Sequence, residues 1–290
     1  MIQMKYLHFF IMLIFISSCC STKSLPQESP KTNVKVDNPK VVILKENNDV
    51  NDSIQVSNEE IIEEPITEHD TTLFYPEAFN HTTWNDLLKN YVSKNGNVNY
   101  KAFQNNREAL LKYIKELGQN TPNKDWTLSD KLAYWINAYN AMTIDLILRH
   151  YPIKSIKDIK SPWKQRYWKL GEKWYNLDEI EHHILRKMEE PRIHFAIVCA
   201  SISCPNLLNE AFTSTKMGEQ MNTVTRNFLS DPTKNNLSDE PIKLSKIFKW
   251  FAKDFNQNST LTKFLNKYSE ETVYSSTKKI FMDYNWDLNE

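Results

Sequence analysis

"LSDKLAYWINAYNAMTIDLILRHYP", residues 128–152, decides how this chain must fold. Leu132, Trp135, Ile136, Tyr139, Met142, Thr143, Leu146 and Ile147 recur at helical spacing and share one face. The opposite side carries Ala133, Ala141, Ile144 and Leu148. A helix that is apolar nearly all round belongs in the interior. Thr127 or Ser129 can cap its start, and Pro152 ends it, because a proline ring disfavours the helical conformation in the residue before it. Two amides interrupt the apolar surface. On the helical wheel Asn137 falls between Ile144 and Leu148, and Asn140 sits at the edge of the first face. A buried amide without partners costs about 1–3 kcal/mol. The pair is therefore expected either to tie down neighbouring loops or to line a binding site.

Shorter elements surround this helix. "TTWNDLLKNYVSKNG" reads as a helix capped by Thr82 or Thr83 and stopping near Gly96, and "NREALLKYIKELG" as a second one closed by Gly118. Between Lys154 and Tyr175 there are seven basic and two acidic residues, interleaved with Trp163, Tyr167, Trp168, Trp174 and Tyr175. Basic and aromatic side chains together can serve nucleic acid or lipid headgroups. "YWKLGEKWYNL", however, fits a hairpin turning at Gly171, with one face in the core and its lysines in water. No nucleic-acid partner is expected. The next helix starts at Asn176, with Glu179 at capping-box spacing. Leu177, Ile180, Ile184, Leu185 and Met188 form its apolar side; Glu181 projects onto that side and His182 points away. A carboxyl facing a core is either ion-paired, as with an arginine, or has a raised pKa and a function.

"RIHFAIVCASISCPNLLNEAF" spans residues 192–212. "HFAIV" has the β-branched and aromatic composition of a buried strand, here ending at Cys199. "ASIS" is then a loop, and "CPNLLNEAF" opens a helical turn with Pro205 at its first position and Cys204 at the N-cap. A thiol at that place has its pKa lowered by the positive end of the turn. His194 begins the strand; five extended residues span about 17 Å, so it meets Cys204 only if the loop folds back.

Five segments together resemble one family. "LAYWINAYNAMTI", "LDEIEHHILR", "RIHFAIVCASISCPNL", "KWFAKDF" and the terminal "YNWDLN" occur in the order seen in proteins with the domain of unknown function DUF547. The resemblance covers about Phe79 to Asn289. Asn206 stands where that pattern often has a second proline, and Asn285 where it often has aspartate. The resemblance implies a distant relation to the papain and transglutaminase-like group, and it implies no settled activity.

The expected fold is α+β: a mainly helical single domain, residues 76–290, with a small antiparallel sheet. Its function stands between two classes. One is a binding or scaffolding module with a cleft near His194 and Cys204, taking a peptide or small molecule, to which Asn137, Asn140, Glu181 and Cys199 would contribute. The other is a thiol-dependent hydrolase or acyl transferase, with Cys204 as nucleophile, His194 or His182 as base and an amide such as Asn137 as orienter or oxyanion donor. Against the second, the papain-like order puts the nucleophile on the first buried helix, and residues 128–150 carry no cysteine or serine beyond the cap. A Cys199–Cys204 disulfide is a further reading, since four intervening residues can close such a loop. His194, Cys199 and Cys204 do not have zinc spacing and no HExxH occurs, so neither metal nor cofactor is expected.

Charge excludes little else: 36 basic residues balance 36 acidic ones. Only four glycines in 290 residues argue against a glycine-rich nucleotide fold. "MIQMKYLHFFIMLIFISSCC" has a short apolar run followed by a lipobox-like "ISSC", which predicts cleavage before Cys19, a lipid on Cys19, and a place in the cell envelope with the membrane as partner. Residues 21–75 hold 11 acidic and 5 basic side chains, and no aromatic before Phe74. That composition predicts a disordered tether, apart from a short apolar run at "KVVILK".

Overall fold

The computed structural model describes residues 77–290. The expected signal segment, Cys19, the acidic tether and the "KVVILK" run lie outside the described residues.

Helices α1 (Thr82–Tyr91), α2 (Tyr100–Gln104) and α3 (Arg107–Gln119) lead into the central helix α4 (Leu128–His150). Every α4 residue from Leu132 to Leu148 is buried, as its two apolar faces require. Thr127 and Asp130 close a reciprocal capping box at its start, at 3.1 and 3.0 Å. Trp84, Phe103, Tyr113 and Tyr134 are fully buried in this half of the core. Three helix ends differ from expectation. Helix α1 begins directly after His81, with Thr82 and Thr83 inside it and no side-chain cap. Helix α1 stops at Tyr91 because Val92 pairs with Val98 as an antiparallel bridge, and Gly96 (φ +81°) turns the chain between them. Gly118 lies inside α3 rather than closing it. A Cβ there would sit 2.6 Å from the Lys169 carbonyl oxygen, so glycine allows the close approach of the following hairpin.

That hairpin pairs β1 (Trp168–Leu170) with β2 (Lys173–Tyr175), turning at Gly171 with φ +58°. Trp168 and Leu170 are buried and Lys169 is exposed, the alternation the sequence predicts. Asn176 caps α5 (Leu177–Glu179), accepting from the Glu179 amide at 2.8 Å. The Glu179 carboxylate binds Arg166 at 2.5 Å and Lys173 at 3.3 Å. The chain then widens into a π-helical turn over Ile180–Ile184 and tightens to a 3₁₀ turn over Leu185–Met188.

The C-terminal part contains α6 (Ile193–Ala196), α7 (Met217–Ser230), β3 (Ile242–Leu244), α8 (Ile247–Trp250), α9 (Ala252–Phe255), α10 (Leu261–Tyr268) and β4 (Lys279–Phe281). Phe195, Phe228, Phe248, Phe255 and Phe264 pack into one aromatic cluster. The architecture is α+β and mainly helical. Besides the antiparallel hairpin it contains a parallel pair, β3–β4.

The 192–212 stretch departs most from its reading. "IHFA", residues 193–196, forms the single turn α6 instead of the start of a strand. A short buried apolar run has no periodicity that separates helix from strand, and here Asn140 decides. Its amide donates to the Ala196 carbonyl at 2.9 Å and accepts from the Val198 amide at 3.0 Å, holding the chain where the turn ends. No helix follows Cys204, so that thiol is not an N-cap. The C-terminal "YNWDLN" is extended and integral, tied by single bridges at Asp287 and Leu288 rather than by a regular strand.

Candidate functional site

A cavity of about 370 Å³ opens where the π-helical turn, α6 with its following loop, α8 and the C-terminal segment meet. Trp163, Trp250, Phe251, Tyr284 and Trp286 wall it, and Glu181, His182, His194, Cys199 and Cys204 border it. A wider hollow of about 770 Å³, beside α7 and α10, is bordered by none of the sequence-predicted residues.

The π-helical turn places two of the polar groups. An α-helix would turn Glu181 inward and carry His182 away; the wider turn brings both to the cavity rim. π-turns inside helices are frequent at functional sites. Glu181 is 8% exposed and has one hydrogen-bond donor, the Tyr139 hydroxyl at 3.1 Å. Burial, only partly offset by that bond and by the Arg186 charge, pushes its carboxyl up to about 7. The arginine nearby is committed elsewhere. Arg186 holds Asp254 through two bonds, at 2.6 and 2.8 Å, and meets His182 Nδ1 at 3.1 Å. His194 stacks on Phe251 at 3.9 Å between ring centres and bonds Asp254 through Nε2 at 2.8 Å. Burial holds the His194 imidazole below its usual pKa despite the aspartate. Hydrogen bonds from Arg186 and His194 overcome burial at Asp254 and keep it ionised far below the usual carboxylate range.

The thiols form a second cluster. Cys199 and Cys204 are both free, with their sulfurs 3.0 Å apart. The Cys199 amide donates to Cys204 Sγ at 2.8 Å. Ser201 Oγ and Tyr284 Oη each lie 3.2 Å from Cys199 Sγ. Burial alone would raise the Cys199 pKa, but its hydrogen bonds with Cys204, Ser201 and Tyr284 outweigh it and lower it. Burial, together with the hydrogen bond and charge of Cys199, pushes Cys204 well up. The more acidic sulfur is thus Cys199, the reverse of what an N-cap position for Cys204 predicts.

Residues 123–229 match the family described as "Protein of unknown function, DUF547". The DUF547 match runs from the approach to α4 through nearly all of α7, and it contains Glu181, His182, His194 and both thiols. Trp250, Asp254, Tyr284 and Trp286, which complete the cavity and its ion pairs, lie beyond it. No curated protein and no solved structure matches the chain.

The structure separates the sequence-predicted residues. Glu181, His182, His194, Cys199 and Cys204 border one cavity, but neither histidine has a hydrogen bond to either sulfur, each ring being held by other partners. Asn137 and Asn140 do not border it. Asn137 bonds the Phe212 backbone twice, at 2.7 and 3.0 Å, as Asn140 does the chain around α6. Both amides are fasteners for loops. Sequence reasoning missed Arg186, Asp254, Tyr284 and Ser201. All four lie in the family-like segments, "LDEIEHHILR", "RIHFAIVCASISCPNL", "KWFAKDF" and "YNWDLN", but nothing local showed that these side chains would meet.

Proposed function

We propose that the chain is a membrane-anchored envelope lipoprotein whose DUF547-containing part is a ligand-binding module. Its cavity takes a small neutral molecule, or a peptide side chain, with an apolar body and one polar group. What carries this reading is Glu181: a buried carboxyl with a single donor, facing an aromatic-walled cavity of about 370 Å³. Ligand sites combine apolar walls with a few convergent polar groups. With its pKa near 7, this carboxyl can present a proton to a ligand acceptor at neutral pH. A hydrolase built on Cys204 is disfavoured, because that sulfur is the less acidic of the two and has no histidine bonded to it.

Benzamide and p-cresol, neutral single-ring probes, test the cavity through tryptophan fluorescence. Both should give saturable changes, weakened at least about fivefold, or roughly 1 kcal/mol, in Trp250→Ala. Benzamide, an acceptor, should also lose affinity as the pH rises through about 7. No saturable signal from either probe up to its solubility limit would reject the binding reading. The anchor is tested separately by metabolic fatty-acid labelling, which should disappear in Cys19→Ser. Label retained in that variant would move the anchor to Cys20, and no label on the wild type would reject it.

A further inference from the structure

We propose that Cys199 and Cys204 are a thiol–disulfide exchange couple at the cavity floor, with Cys199 as the attacking sulfur and Cys204 as the resolving one. The two sulfurs are 3.0 Å apart. A disulfide needs about 2.0 Å, so closure requires a shift of only about 1 Å. The loop between them is set up for it. Ala200 adopts a left-handed conformation, φ +56°, although it is not glycine, and folds the chain so that Cys204 comes back beneath Cys199.

Accessibility divides the roles. Cys199 is half-buried, whereas Cys204 is 4% exposed and lies behind it. The Ser201 and Tyr284 hydroxyls can both donate to Cys199 Sγ, an arrangement that favours its thiolate over its thiol. Among the described residues no cluster of histidine, cysteine, aspartate or glutamate is arranged to hold a metal ion, so a shared metal does not account for the pairing. The aromatic walls suit an uncharged disulfide with apolar substituents.

The chemistry balances without another reagent. A disulfide R–S–S–R′ enters, and the Cys199 thiolate attacks one of its sulfurs. The Cys199–S–S–R bond forms, the original S–S bond breaks, and R′S⁻ leaves to take up a proton. Cys204 then loses its proton and attacks Cys199 Sγ. This forms the Cys199–Cys204 disulfide and releases RSH. The two protein thiols together give up two electrons and two protons, and the substrate becomes RSH and R′SH. In reverse, the oxidised pair passes its disulfide to a dithiol. The proposal shares the cavity with the binding reading but does not depend on it: exchange is read from sulfur stoichiometry, binding from fluorescence.

The test uses the full-length chain carrying Cys19→Ser and Cys20→Ser, reduced, freed of reductant and mixed with 4,4′-dithiodipyridine. With Cys199 and Cys204 both present, two equivalents of 4-thiopyridone should be released and the protein should end 2 Da lighter, with no adduct. Adding Cys204→Ser should give one equivalent and one stable adduct, mapped to Cys199 by peptide mass spectrometry. Adding Cys199→Ser should slow release at least about tenfold. Two stable adducts on the chain holding both thiols, first reaction at Cys204, or no reaction in the folded protein would each overturn the proposal. The binding reading could survive any of these.

Discussion

Asp145 and Glu181 are both carboxyl groups inside the protein, and they have opposite surroundings. Asp145 is fully buried and has four donors: Nε and Nη2 of Arg107 on one oxygen, at 3.1 and 2.8 Å, and Arg149 Nε and Trp168 Nε1 on the other, at 2.7 and 2.8 Å. Those bonds join α3, α4 and β1 in one charge-assisted knot. Glu181 has one neutral donor, and the nearby guanidinium of Arg186 is turned to Asp254. Nothing remains for Asp145 to bind, so its role ends with the fold. Glu181 faces space with hydrogen-bonding capacity unused. A buried acid is informative about function when its partners are too few, not merely because it is buried.

Asp145→Ala should have the largest effect. It leaves two arginines, each about a quarter exposed, and the Trp168 indole without their acceptor. Partial solvation of the arginines puts the loss at the lower end for a broken buried pair, about 3 kcal/mol in urea unfolding. A loss under about 1 kcal/mol would show that the knot does not hold the helices to the hairpin.

Glu181→Gln sharpens the contrast through pH. The folded pKa, about 7, lies above the ordinary 4.5. The unfolded chain therefore releases this proton first, and stability falls as pH rises from 4.5 through about 7, then levels off. Going from pH 5 to pH 8, the wild type should lose about 2–3 kcal/mol relative to the glutamine variant. Parallel stability curves for the two proteins would mean that Glu181 is solvated or paired after all.

The smallest change is expected from Trp286→Ala. Trp286 is half-buried, touching Trp163, Trp250 and Tyr284, with Lys157 over its ring at 4.5 Å. It walls the cavity without filling the core, so its loss should cost about 1–2 kcal/mol, below the range for emptying a fully buried aromatic site. Benzamide binding should weaken in the same variant. A cost of 3 kcal/mol or more would make the C-terminal segment part of the core rather than a wall of the cavity.

Local information determined a great deal. The all-round apolarity of residues 128–150, the caps at Thr127 and Asn176 and the Gly171 hairpin are each set by interactions within a few residues, and each is readable from spacing. The burial of Glu181 was legible in the same way, and so was the choice facing Asn137 and Asn140. Tertiary structure alone decided the rest. The first three residues of "HFAIV" joined a helical turn that ends at Ala196, where Asn140, 58 residues from Val198, holds the backbone. His182 reached the cavity because the helix widened, which a fixed 100° wheel cannot represent. Cys204 and Ser201, in the same loop, contribute most to lowering the Cys199 pKa, and the fold adds Tyr284, 85 residues away. A pKa depends on the charges and donors that surround a group in space, and some of the partners that decide it, Tyr284 at Cys199 and Asp254 at His194, come from distant parts of the chain.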